Sequence, residues 1–147
     1  TDASILPEYS EGKKKEAGGF AQTRFDANMT ANANMFCYPG NSYEGGNPAI
    51  HELGHTINHL VFEETNQTYW YDRIWKTADA DRSAGKTAAS LPLSEYWAKA
   101  VEGYIMNAGY KHVSEFPTRE FIENNHPELY ELLVRYFPTT KFDYCSQ

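Results

Sequence analysis

Residues 47–60 read NPAIHELGHTINHL and place three of the chain's five histidines within nine residues. Asn47 followed by Pro48 is a helix start, an N-cap side chain ahead of a proline whose missing N–H is one of the helix's orphan donors anyway. Spaced at 100° per residue, Ala49, Ile50, Leu53, Ile57, Leu60 and Val61 form one apolar stripe, and His51, His55 and Asn58 fall within a narrow arc opposite it. This is an amphipathic helix with imidazoles where lysines are usual. His51-Glu52-Leu53-Gly54-His55 matches H-E-x-x-H. Residues four apart stack on one face, so both imidazoles reach a single Zn²⁺ at about 2.0–2.1 Å. Glu52 lies one step round the helix, aside from the ligand positions and placed to take a proton from water activated by the metal. Gly54 carries no side chain, which allows a strand or a substrate to approach the helix closely.

His59 lies one further turn on. Ligands at 51, 55 and 59 span about 12 Å of helix axis, too far for one tetrahedral ion, so His59 is expected beyond the ligand shell. The third ligand therefore comes from elsewhere. A metzincin needs glycine at 58 and histidine at 61, where this chain has Asn58 and Val61. An aspzincin needs a downstream G-T-x-x-D, a setting that Asp79 and Asp81 lack. A gluzincin takes a glutamate from a later helix, and SEYWAKAVEGY, residues 94–104, offers both Glu95 and Glu102 on one face. The one that does not ligate can hydrogen-bond a ligand histidine. The simplest alternative for both is a solvated helix edge with Lys99 pairing between them.

The remainder bounds the fold. The 147 residues are enough for one domain with a core, 1–147, and no apolar run approaches the roughly eighteen residues of a membrane span. A net charge of −7 with scattered basic residues argues against nucleic acid as a partner. Residues 1–19 read as a loosely held arm. GGFAQTRF (18–25) and NANMFCYPG (32–40) read as two strands, and YPGNSYEGGNP as a loop. TYWYDRIWKTA (68–78) is a second helix, with Trp70, Arg73, Ile74 and Thr77 at helical spacing. A third starts near Ser94, with Trp97, Ala100, Val101, Tyr104 and Ile105 inward, and stops around Asn107–Gly109. TREFIENNHPELYELLVRYFP (118–138) gives one or two more helices, with Leu129, Leu132, Leu133 and Tyr136 inward. His112 and His126 default to the surface. The expectation is an α+β, zincin-like fold, helix-dominated, with a small N-terminal sheet beside the active-site helix.

Cys37 and Cys145 are expected to pair, which would close most of the chain. Asn28-Met29-Thr30 and Asn66-Gln67-Thr68 are glycosylation sequons. With Thr1 read as a processed start, these features point to a secreted protein, and a monomer is the expected state.

AIHELGHTIN, followed by SEYWAKAVEGY and PTREFIENN, resembles the catalytic domain of anthrax lethal factor and its relatives over roughly residues 48–125. That family pairs a helical H-E-x-G-H with a downstream E-[aromatic]-[aromatic]-A-x-A helix, matched here by Glu95-Tyr96-Trp97-Ala98-Lys99-Ala100. The resemblance implies Glu95 as third ligand and a single zinc serving peptide hydrolysis. Two departures stand out. Ala88 occupies the place of the family's catalytic tyrosine, and Lys99 replaces an acidic residue one turn after the ligand. The expected function is a secreted zinc endopeptidase acting on protein or peptide substrates, with Glu52 as general base. A secreted zinc-binding effector that cuts nothing is the alternative, and hydrolysis of a non-peptide amide is a third reading.

Overall fold

The computed structural model describes residues 19–22, 28–31, 46–58, 68–109 and 114–140, with side chains described from residue 46 onward except at 68–71. Five helices dominate: α1 (Pro48–Ile57), α2 (Thr68–Ser83), α3 (Leu93–Met106), α4 (Arg119–Asn125) and α5 (Pro127–Tyr136). Ahead of them β1 (Gly19–Gln22) pairs antiparallel with β2 (Asn28–Ala31), Gly19 opposite Ala31 and Gln22 opposite Asn28. A ladder this short does not establish the small sheet expected from the sequence, and the strand expected over residues 32–40 lies outside the described residues. Among the described residues no helix is long and apolar enough to cross a membrane.

Helix α3 is the axis of the molecule. Trp97, Ala98, Ala100, Val101 and Tyr104 are fully buried, and α1, α2 and α4 all pack on it. Ile74 of α2, Phe116, Ile122 of α4 and Leu129, Leu132 and Leu133 of α5 complete the core. Each such side chain contributes about 1.5–3 kcal/mol on burial. Glycines set the closest approaches to α3. A Cβ on Gly103 would lie 1.8 Å from the Phe116 carbonyl oxygen, so α3 and the segment leading to α4 touch backbone to backbone.

The expected helix signals operate as written. Asn47 caps α1 by accepting from the Ala49 and Ile50 N–H groups at 3.0 and 3.3 Å. Asn107 ends α3 in the left-handed region at φ 51° and uses its side-chain oxygen to accept the Arg119 N–H, joining the end of α3 to the start of α4. The tail is two helices, broken at His126-Pro127. Helix α2 runs five residues past its expected end at Ala78, to Ser83. Asp81 explains the extension. It is buried, and its Oδ2 accepts both the Tyr96 hydroxyl and His126 Nδ1 at 2.6 Å. His126 is thus 2% exposed, not the surface residue expected, because a buried carboxylate supplies its partner.

Candidate metal centre

Helices α1 and α3 cross antiparallel. Glu95 faces His51 and His55 at one end, Gly54 meets Ala98 in the middle, and Glu102 faces Asn47 and His51 at the other. The crossing is tight because Gly54 has no side chain: a Cβ there would stand 2.8 Å from the Ala98 Cα. What approaches the helix at Gly54 is therefore neither strand nor substrate but α3, and Glu95 lies one turn from that contact.

His51, His55 and Glu95 form the one group among the described residues whose ligand atoms could hold a metal ion. His51 Nε2 and His55 Nε2 are 3.2 Å apart. Glu95 places Oε2 3.4 Å from His51 Nε2 and Oε1 3.3 Å from His55 Nε2. Donors at about 2.05 Å from a tetrahedral ion are separated by about 3.3 Å. The two imidazole nitrogens have that spacing, and one ligand atom from each of the three residues lies within 4.8 Å of the others, close enough to converge on one ion. Two imidazoles and one carboxylate are also the donor chemistry that zinc takes.

Glu102 contacts the other ring nitrogen. Its Oε2 lies 3.2 Å from His51 Nδ1, and its Oε1 accepts the Asn47 N–H at 2.8 Å. When the ring is neutral, a carboxylate beside Nδ1 holds the remaining proton there and leaves the Nε2 lone pair directed at the donor cluster. Glu102 is 3% exposed, whereas the Glu95 side chain is 37% exposed. The two glutamates that the sequence placed on one helix edge thus occupy different environments. Lys99 does not pair between them: it bonds Glu115 at 3.2 Å. Asn58, one turn past His55, is also buried.

The electrostatics follow from this packing. Burial disfavours a charged His51, but the bonds to Glu102 and Glu95 outweigh it and raise the pKa from 6.5 to about 9. The bonds from His51 and then His55 hold the Glu95 carboxyl far below the ordinary range, against the opposing effect of burial. Glu52 is buried at 5% exposure on the α1 face turned into the molecule. The division expected for α1 is met only in part: Ile50 and Ile57 are half-buried against the core, His51 and His55 across the helix are half-buried too, and Asn58 of the polar arc is buried.

His59, Cys37, Cys145, Asn66 and His112 lie outside the described residues, and Asn28 is described only as the first residue of β2. Sequence reasoning missed the buried Asp81–Tyr96–His126 cluster; the sole signal was a histidine directly before a helix-starting proline.

These features define a two-helix centre with two imidazoles and a carboxylate facing one point. Comparison with protein families, with curated proteins and with solved structures finds no match to this chain.

Proposed function

We propose that the chain is a secreted, monomeric zinc endopeptidase of zincin type, built on His51, His55 and Glu95 as ligands and Glu52 as general base. The observation that carries the reading is the convergence of three side chains, the His51 and His55 Nε2 atoms 3.2 Å apart with one Glu95 oxygen beside each at 3.4 and 3.3 Å, on helices held together at Gly54 and Ala98. Non-haem iron also uses two histidines and a carboxylate. The glutamate next to the first histidine favours zinc and hydrolysis, because it offers a base beside the ligands. Zinc bound there supplies a Lewis acid that polarises the scissile carbonyl and acidifies water.

The protein groups do the rest. His51 and His55 present neutral ring nitrogens, and Glu95 adds the one ligand charge. Glu102 keeps the His51 proton on Nδ1. Glu52 takes the proton of the attacking water and passes it to the leaving amine. The β1–β2 ladder packs on α1 and belongs, in this reading, to a small sheet whose edge pairs with an extended substrate. A Cys37–Cys145 bridge, and glycans at Asn28 and Asn66, complete the reading of a secreted chain. The likeness to the lethal factor catalytic domain supports the ligand choice, since Glu95 is the position that its glutamate motif selects.

The test is metal analysis with peptide hydrolysis. The purified chain should carry about one zinc, cleave an unfolded protein such as casein, and stop when chelated. Glu52→Gln should keep its zinc and lose at least about a hundredfold in rate. A Glu52→Gln variant that cuts as fast as the parent removes the general base, and a zinc-binding effector then becomes the better reading.

A further inference from the structure

Glu95 sits in the first turn of α3, the least supported part of that helix. The N-cap residue is Pro92, which makes no side-chain capping bond, so the orphan N–H groups there have no local side-chain acceptor. Roughly 10° of rotation at this end would move a carboxylate about 6 Å from the axis by about 1 Å, whereas ligand distances tolerate only about 0.2 Å. Something other than a cap must fix the turn.

The residue beside Glu95 does so. Tyr96 is 1% exposed, and its hydroxyl donates to Asp81 Oδ2 at 2.6 Å. The same oxygen accepts His126 Nδ1 at 2.6 Å, and Lys86 Nζ stands 3.6 Å from Asp81 Oδ1 while donating to the Asn125 carbonyl at 2.6 Å. The Tyr96 ring meets Phe116 edge-on at 5.1 Å, and Phe116 meets the His126 ring at 5.0 Å. Arg82, next to Asp81, donates to the Leu91 carbonyl at 2.8 Å and holds the residues just before α3. The start of α3 is therefore tied to the end of α2 and to the α4–α5 junction, on the side away from α1.

We propose that Asp81 is a positioning residue for the metal ligand Glu95, acting through the Tyr96 hydroxyl. His126 and Lys86 hold Asp81 in place, and Tyr96 converts that fixed point into the rotation of α3 that turns Glu95 toward His51 and His55. The proposal rests on the reading of His51, His55 and Glu95 as a metal site.

The experiment measures zinc affinity by chelator competition, well below the melting temperature, for the parent, Tyr96→Phe, Asp81→Asn, His55→Ala and Leu132→Ala. Tyr96→Phe keeps the ring and the Asp81–His126 bond and removes only the tie, so it carries the test even if Asp81→Asn fails to fold. Zinc should bind it about ten- to a hundredfold more weakly than it binds the parent. In the metal-free protein, the amides of residues 95–98 should exchange faster in Tyr96→Phe. Leu132→Ala, a core truncation that removes none of the hydrogen bonds of the tie, should lower the melting temperature and leave zinc affinity unchanged. A Tyr96→Phe variant that binds zinc as tightly as the parent overturns the proposal, as does a Leu132→Ala variant that loses affinity equally. Either result leaves the metal site standing. A parent that binds no zinc, or a His55→Ala variant that keeps it, overturns both.

Discussion

At the scale of single residues, Glu95 and Glu102 show how identical side chains seven positions apart divide between two tasks. Two helical turns separate them by about 10 Å along the axis, so both cannot reach one point. They do reach one residue, because the His51 ring presents Nε2 to Glu95 and Nδ1 to Glu102. Glu102 must accept from two donors at once, the Asn47 N–H and the His51 Nδ1–H. The carboxylate does so with a different oxygen for each, and an amide cannot, since one of the two positions becomes a donor NH₂ group. If the oxygen of Glu102→Gln stays on the Asn47 N–H, its NH₂ faces Nδ1 and drives the His51 proton to Nε2, where a metal must bind. Glu102→Gln should therefore weaken zinc binding by about ten- to a hundredfold, less than Glu95→Gln does, although it removes no ligand. Zinc competition against a chelator measures this, and an affinity equal to the parent's would remove Glu102 from the account. That His51 and His55 meet on one face of α1 was legible from spacing alone. The assignment between Glu95 and Glu102 was not, because a helical wheel gives the face and omits the height at which a partner helix crosses.

Among the elements, α1 and α3 decide the centre, and the sequence described each better alone than together. The Asn47-Pro48 start and the Asn107 stop were readable because caps are local chemistry. The direction in which α1 faces was not. Its apolar stripe suggested that the histidine side would be open, yet α3 packs on that side, against Asn47, His51, Gly54 and His55. Helix α2 likewise outran its expected end, since the polar DADRS segment contains Asp81, whose buried partners lie 15 and 45 residues away. Gly54 is the hinge of the pairing. Gly54→Ala is helix-favouring in isolation, by about 1 kcal/mol. Here its Cβ would press on the Ala98 backbone at 2.8 Å and push the two helices apart. The variant should be destabilised by about 1–3 kcal/mol instead of stabilised, and should bind zinc more weakly because Glu95 retreats with α3. Chemical denaturation with a metal titration tests both. A more stable variant with parental affinity would mean that the crossing does not set the ligand distance.

At the scale of the whole molecule, Asp81, Glu95 and His51 are perturbed ionisable groups whose signs make opposite demands on pH. Burial pushes the Asp81 carboxyl up, but the bonds from His126 and Tyr96 outweigh this and hold it below its usual 3.8. Glu95 is lowered from 4.5 by His51 and His55. Both contribute stability that is present above the ordinary carboxylate range and is lost as pH falls through their depressed values. His51 runs the other way. Its pKa in the metal-free protein is raised from 6.5 to about 9, against burial, by Glu102 and Glu95, so its contribution is complete below 6.5 and is lost as pH rises through about 9. The metal-free chain should accordingly be most stable between these limits and should weaken on the alkaline side. Zinc reverses that side, because it needs the His51 ring nitrogen without its proton. Near neutral pH binding should release about one proton, and the apparent affinity should climb by up to about tenfold per pH unit until it levels near pH 9. The melting temperatures of zinc-loaded and metal-free protein should therefore diverge as pH rises from about 6 to 9. Glu102→Gln, which removes one of the two charges that raise His51, should flatten the climb. Calorimetric titration in two buffers of different ionisation enthalpy counts the released proton. A zinc affinity independent of pH across that range would show that His51 is neutral in the metal-free chain, and that the carboxylates on either side of it orient the ring without charging it.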